Sequence, residues 1–323
     1  MILSDAPSGA SSVGGCNPAR SETDTHSFLY FLAYCVYKLY NCCIMIHKLI
    51  SRVGAASKYL VIVAFLLVLI GWFINTPPGL FGKADAIGYS VCHRIGERSF
   101  HIGSYQLPLC ARCSGMYLGA VTGLVFQSVI GWKRIKIPHW SMIAVLVAFL
   151  LAFGIDGANS YLYLLKQVSP GILPRIPNIY IPNNTLRLLT GSGMGLGIAV
   201  MLFPAFNQTV WADGVQKPIF SGWISFGLLL GIQIVLDLLV LTESPVVLYP
   251  LAIISALGVW LLLTMVYAMA WIMLMGQENK YTRFRGLWLP LLAGLTIALI
   301  QTAGIDALRF WLTGTWGGFP LGK

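Results

Sequence analysis

VVLYPLAIISALGVWLLLTMVYAMAWIMLM, residues 246–275, runs for thirty residues without one charged side chain. A helix needs only about 20 apolar residues to cross the hydrocarbon core, and within that core backbone amides must find their partners inside the segment. The stretch therefore reads as a membrane span. Six more runs read the same way: Tyr59–Ile74, Met116–Trp132, Trp140–Ile155, Leu188–Phe206, Ile219–Leu241 and Leu287–Ile305. Asp237 alone places a formal charge inside any of them. The 323 residues are 57% hydrophobic and 10% charged, against roughly 25% charged in a soluble domain. The expected fold is all-α, a polytopic transmembrane helical bundle of about seven spans over residues 59–323, with the lipid bilayer as its partner.

Upstream, residues 1–27 are rich in Ser, Gly, Asp and Thr and read as a disordered tail. Residues 28–58 read as a further helix and linker. Phe28–Ile50 is apolar and aromatic but interrupted by Lys38, Asn41 and His47, so a spanning and an interfacial helix fit equally. It starts late and lacks a small-residue cleavage site, which argues against a cleavable signal peptide, and Met45 is a credible alternative start. Cys16, Cys35, Cys42 and Cys43 fall in this region and receive no role.

Lysine and arginine in short loops set orientation. Lys48, Arg52 and Lys58 precede the first firm span, Lys133, Arg134 and Lys136 follow the second, Lys217 follows the fourth, and Lys280, Arg283 and Arg285 follow the sixth. With seven spans these loops share one side, which is therefore expected to be cytoplasmic. The net charge of +10 follows from this bias and from attraction to anionic lipid. Basic runs interleaved with aromatics are missing outside the membrane flanks, so no nucleic-acid partner is expected.

Two helices open alike, Ser114-Gly-Met-Tyr-Leu-Gly-Ala and Ser192-Gly-Met-Gly-Leu-Gly-Ile, and each is followed in the next span by an acid, Asp156 or Asp237. Duplicated helix hairpins and a chance recurrence of common membrane residues both account for this. The glycines carry a firmer message. Gly115, Gly119 and Gly123, like Gly191 and Gly195, recur every four residues and line one helix face with hydrogens, so both helices are expected at the centre of the bundle. Acids within lipid are costly. Asp237 and Asp306 read either as parts of a proton or cation path or as inward acids satisfied by neighbours. Asp237 leans to a structural role, and Arg309 is the obvious partner of Asp306.

Chemistry concentrates in one loop. Cys92-His93-Arg-Ile-Gly-Glu97-Arg98-Ser-Phe-His101 is followed by Leu109-Cys110-Ala-Arg112-Cys113-Ser114-Gly115. A CxxC pair at the start of a helix lies where the dipole favours thiolates, with Arg98 and Arg112 adding positive charge. Cys92, Cys110 and Cys113, with His93 or His101 as the fourth ligand, form a set suited to zinc, with iron also compatible. A thiol–disulfide centre is the competing reading, and buried structural thiols a third.

This block resembles the family of predicted membrane proteins called domain of unknown function 2085. The likeness extends through Ile155-Asp156-Gly157 and Asn183-Asn-Thr-Leu-Arg187-Leu-Leu-Thr190-Gly191, covering roughly residues 80–205. The resemblance implies a class and brings no activity with it. It directs attention to Asp156, Asn184, Arg187 and Thr190, which border the membrane on the side of the cysteines and would form a polar vestibule orienting the ligands. Asn183-Asn184-Thr185 equally suits a helix cap. The proline-rich Ser160–Pro182 segment is expected to be an extended outer loop covering the cysteines as a lid.

The functional expectation is an integral membrane protein, multi-pass, with an outward-facing Cys/His metal site and an unspecified reaction. A thiol–disulfide oxidoreductase coupled to membrane quinone, and a small-solute or ion transporter using Asp237 and Asp306, are the alternatives.

Overall fold

A computed structural model describes residues 57–169 and 176–317. The readings of 1–27, of Phe28–Ile50 and of Cys16, Cys35, Cys42 and Cys43 lie outside the described residues. Among those described, seven helices are long and apolar enough to span a membrane: α1 (Ser57–Asn75), α3 (Ala111–Ile130), α4 (Trp140–Val168), α5 (Asn184–Val210), α6 (Trp223–Leu241), α7 (Pro245–Leu274) and α8 (Trp288–Thr313), the last entered through a short turn from Phe284. The chain is an all-α polytopic bundle. Two short ladders decorate it, a hairpin of β1 (His101–Ile102) and β2 (Tyr105–Gln106), and a parallel pair of β3 (Arg134–Lys136) and β4 (Val215–Pro218).

The most extensive helix pair is α3 with α5, and glycine is the reason. A methyl group at Gly115 would overlap the Leu188 carbonyl, one at Gly191 the Arg112 carbonyl, and one at Gly195 the Met116 carbonyl. Without a hydrophobic force between helices in lipid, such close backbone approach supplies the packing energy. The two helices that open alike thus lie against each other, and both are heavily buried, whereas Leu67 and Ile70 of α1 and Val235 and Leu238 of α6 are exposed where lipid would lie. The α3–α5 seam continues into a core with Phe203, Phe226, Leu229 and Ile272.

One helix has no counterpart among the expected spans. α2 (Gly79–Val91) has thirteen residues, too few to cross. Its small residues Gly82, Ala84, Ala86 and Gly88 are buried, and Gly88 lies directly against the Pro108 carbonyl. It packs on α7 and α8 and delivers Cys92 from its C-terminal end.

Several helices begin or end in polar residues, so their bounds differ from the apolar runs. α3 starts at Ala111 and α5 at Asn184, capped by the Asn183 side chain, which accepts from the Leu186 amide at 2.8 Å. The larger difference is in Ser160–Pro182. α4 continues as helix to Val168, because the first proline of the segment is Pro170 and nothing before it breaks the ladder. The described part of the connection, 176–183, has no helix and folds back on α4. Asn159 donates to the Tyr180 carbonyl at 3.0 Å, and its own side-chain oxygen accepts from the Ile179 amide at 2.9 Å.

At the opposite end, β3 and β4 join two loops that carry exposed basic residues. Lys133 pairs with Asp213 at 2.7 Å and donates to the Thr282 carbonyl at 2.6 Å.

Gly195→Leu should destabilise the bundle by roughly 1–3 kcal/mol or more through overpacking, while Gly197→Ala, where an added Cβ meets nothing within 4 Å, should stay within about 0.5 kcal/mol. Thermal melts of the two purified variants against the parent check this; equal melting points would contradict the glycine seam.

Candidate metal centre

The site is built where two helix ends meet. Cys92 is the residue that ends α2, its amide donating to the Gly88 carbonyl at 2.9 Å, and Cys110 is the residue that precedes the first turn of α3. Cys113 lies one turn into α3. Their three Sγ atoms all lie within 4.8 Å of one another. All three are free thiols, with Cys92 and Cys110 buried. Leu109, Val91 and Tyr117 pack around them and make the surroundings apolar.

Backbone amides point at one sulfur. The Arg94 and Cys110 amides donate to Cys92 Sγ at 3.4 and 3.3 Å. Arg94 has φ of +52°, the left-handed region that a side chain other than glycine seldom adopts. The Arg94 guanidinium meanwhile donates to Asp85 at 2.7 Å, and Tyr105 donates its hydroxyl to the other Asp85 oxygen at 3.0 Å. Burial raises the Asp85 carboxyl above its ordinary range, opposed by the Arg94 charge and the Tyr105 hydroxyl.

The thiols share charge unequally. Hydrogen bonds from the Cys110 and Cys113 thiols hold Cys92 well below the usual thiol range, against the opposing effect of burial. For Cys110 the Cys113 thiol acts downward, yet its bond to Cys92, its burial and the Cys92 charge together push it up to about 12. Cys92 is thus the more acidic of the two, and the amide that enters α3 at Cys110 donates to its sulfur. A dication would displace the remaining protons, as soft-metal ligation by thiols requires.

His93 lies beside the cluster, outside the three-sulfur group. Its Nδ1 accepts from the Ile95 amide at 3.1 Å, which leaves Nε2 for a ligand. Burial lowers its pKa, the Cys92 charge opposes this, and Arg98, Arg112 and Arg187 lower it further. His101 sits in β1 and shares the hairpin with Gln106, which donates to the Arg94 carbonyl at 2.9 Å and the Ser99 hydroxyl at 3.0 Å.

A polar network flanks the cluster. Arg112 of α3 forms an ion pair with Asp156 of α4 and donates to Ser160 Oγ at 3.1 Å; Tyr180 donates to Asp156 at 2.5 Å, and Thr190 of α5 at 3.4 Å. Burial and the bond to Asp156 raise the Tyr180 phenol to about 12. Arg98 donates to the Ser160 carbonyl at 3.3 Å. Arg187 donates to Asn184 at 2.9 Å, and Asn184 reaches the Glu97 and Ser99 carbonyls at 3.4 Å each. Asp156, Asn184, Arg187 and Thr190 are therefore joined to the cysteine loop itself.

The two intramembrane acids lie elsewhere. Asp237 is 3% exposed and accepts from Ser192 at 2.7 Å and from Gln233 at 3.0 Å on one oxygen. Asp306 accepts from the Trp72 indole at 2.9 Å. The guanidinium of Arg309 extends toward the cysteine loop, donating to the Tyr89 and Cys92 carbonyls at 2.5 and 2.6 Å and lying 4.0 Å over the Tyr89 ring.

Sequence reasoning missed Asp85, Tyr105, Tyr117 and Tyr180. Asp85 had a usable signal, an acid among small residues in Gly82-Lys-Ala-Asp85-Ala-Ile-Gly88; the tyrosines had none beyond their type.

The family described as predicted membrane protein, DUF2085, matches residues 92–201, from the first clustered cysteine to near the end of α5. An uncharacterized protein of Methanothermobacter thermautotrophicus is 32% identical over 113 residues, which cover 34% of this chain and 83% of that protein. An uncharacterized protein of Methanocaldococcus jannaschii is 24% identical over 172 residues, 48% of this chain and 97% of that protein. No solved structure matches the chain. Both relatives are nearly spanned by half of this chain or less, and the matched family segment holds the cysteine cluster, the Arg112–Asp156 pair and the α3–α5 seam. The chain belongs to the DUF2085 family of predicted membrane proteins.

Proposed function

We propose that the protein is a membrane-embedded metal–thiolate protein that holds one zinc ion between Cys92, Cys110 and Cys113, with His93 Nε2 or an exogenous ligand in the fourth position. The observation that carries the reading is the convergence of three sulfurs within 4.8 Å under two amide donors. Zinc takes thiolate and imidazole ligands tetrahedrally, and a site with three protein ligands keeps a position open for water or substrate. Iron satisfies the same donors, and metal analysis separates the two. Asp156, Arg98, Arg112 and Arg187 would tune the charge around the site and hold its loop in place.

The cluster is assigned to the outward face. Lys133, Lys136, Lys217, Lys280, Arg283 and Arg285 lie on the other side, where loop charge counts toward retention in the cytoplasm. Arginines on the cysteine side have other work: Arg94 binds Asp85, Arg112 binds Asp156, and Arg309 binds carbonyls.

A quinone-coupled thiol–disulfide exchange is the second reading, favoured by the unequal acidity of Cys92 and Cys110. Three thiols leave one unpaired in that scheme, which ranks it lower. Transport through Asp237 has less support, since that carboxylate is enclosed by Ser192 and Gln233.

The protein purified under reducing conditions should carry about one zinc per chain, and Cys92→Ser or Cys113→Ser should reduce this at least tenfold. Elemental analysis with a free-thiol count checks it; a stoichiometric Cys110–Cys113 disulfide without metal would reverse the ranking. Asp237→Asn should insert normally and leave metal content unchanged, whereas a loss of metal in that variant would tie the acid to the site. Ser104→Cys, at the exposed hairpin tip, should react with a membrane-impermeant maleimide on intact cells; protection until lysis would place the cluster in the cytoplasm.

A further inference from the structure

A cavity of about 710 Å3 opens between the ends of α1 and α8, at the end of the bundle that also holds the cysteine loop. Trp72, Asn75 and Thr76 line it from α1, and Asp306, Phe310 and Trp311 from α8, with Trp316 beyond the helix end. Phe310 and Trp316 face each other at 5.4 Å between ring centroids. An aromatic lining at this depth is in itself what a membrane interface selects.

Asp306 makes it more than a belt. The residue is 2% exposed, and its Oδ2 accepts from the Trp72 indole at 2.9 Å. Its Oδ1 has no hydrogen-bond partner among the described residues, although the side chain borders the cavity. Leaving a buried carboxylate oxygen without a donor is unfavourable by about 1–3 kcal/mol or more. Trp72 is itself fixed edge-on against Trp260, with ring centroids at 5.0 Å, so the indole that holds Oδ2 is a fixed part of the cavity wall.

A ligand that completes this arrangement needs an N–H donor with positive charge, for the carboxylate, on an apolar or aromatic body. Indole and phenyl rings attract such a cation through their π faces and admit the body that carries it. We infer that the α1–α8 cavity binds a primary organic ammonium group, with Asp306 as its anchor and Trp72, Trp311 and Trp316 as its walls. The chemistry is shared by a free amphipathic amine and by the ethanolamine headgroup of a phospholipid. The site is separate from the three thiols, so its failure would leave the metal proposal untouched.

The full chain in phosphatidylcholine nanodiscs, titrated with phenethylammonium and followed by tryptophan fluorescence and thermal shift, tests this. Binding should be saturable and about tenfold or more tighter than that of 2-phenylethanol, which keeps the ring and loses the charge-assisted donor. Asp306→Asn should abolish that difference, and Trp311→Leu, at an exposed lining position, should weaken amine binding several-fold without disturbing the core. Repeating the titration in phosphatidylethanolamine nanodiscs identifies the source. Competition there indicates the lipid headgroup and unchanged affinity a free amine, and either result upholds the ammonium site. Equal binding of amine and alcohol by the unaltered chain, or undiminished preference in Asp306→Asn, would overturn it.

Discussion

Glycines at 115, 119, 191 and 195 remove the side chains that would hold α3 and α5 apart, so the carbonyl oxygens of each helix fill the space where the other would carry a Cβ. This contact sets the relative height of the two helix starts. Cys110, Arg112 and Cys113 of α3 come level with Asn184, Arg187 and Thr190 of α5, and α4 adds Asp156 between them. A shift of one helical turn, about 5.4 Å, would separate Thr190 from Asp156 and part Asn184 from the carbonyls of Glu97 and Ser99. The polar network therefore depends on an apolar constraint deep in the membrane.

The thiol cluster draws on a second support, independent of that seam. α2 is too short to span and instead brings Cys92 to the start of α3, held by Arg94 on Asp85 and by Arg309 on the carbonyls of Tyr89 and Cys92. Cationic side chains that in a loop would act as topological signals serve here as internal fasteners. In a dry environment lined by Leu109, Val91 and Tyr117, amide donors to Cys92 act with little competition from water. The same features suit a metal ion, whose charge would be balanced by thiolates and whose loop would be fixed from both sides.

Most of the fold was legible because lipid makes one demand that composition reveals at once: a span is a long run without charge, and Val246–Met275 or Ile219–Leu241 can be little else. Helix ends were less legible, since α3 and α5 begin in polar residues that belong to the site and interrupt the apolar signal. α2 escaped for a related reason. Its small residues pack tightly without being strongly hydrophobic, and only the structure shows Gly88 against Pro108. At the site, the grouping of Cys92 with Cys110 and Cys113 could be anticipated from ligand chemistry, and the glycine spacing pointed to the central helices. The pairing of Arg112 with Asp156, and the enclosure of Asp237 by Ser192, depend on which helices become neighbours, which spacing along the chain does not encode. The twin Ser-Gly-Met openings illustrate the limit. They mark two helices that pack together, yet Ser192 bonds to Asp237 while Ser114 bonds to the Leu109 carbonyl.

The central claim is that three cysteine sulfurs act as one ligand set. X-ray absorption at the zinc edge of the purified protein measures this most directly. The account predicts about three sulfur scatterers near 2.3 Å and one nitrogen or oxygen near 2.0–2.1 Å, with the sulfur contribution reduced in Cys92→Ser. A first shell of nitrogen and oxygen alone, or a sulfur shell unaffected by Cys92→Ser, would contradict it.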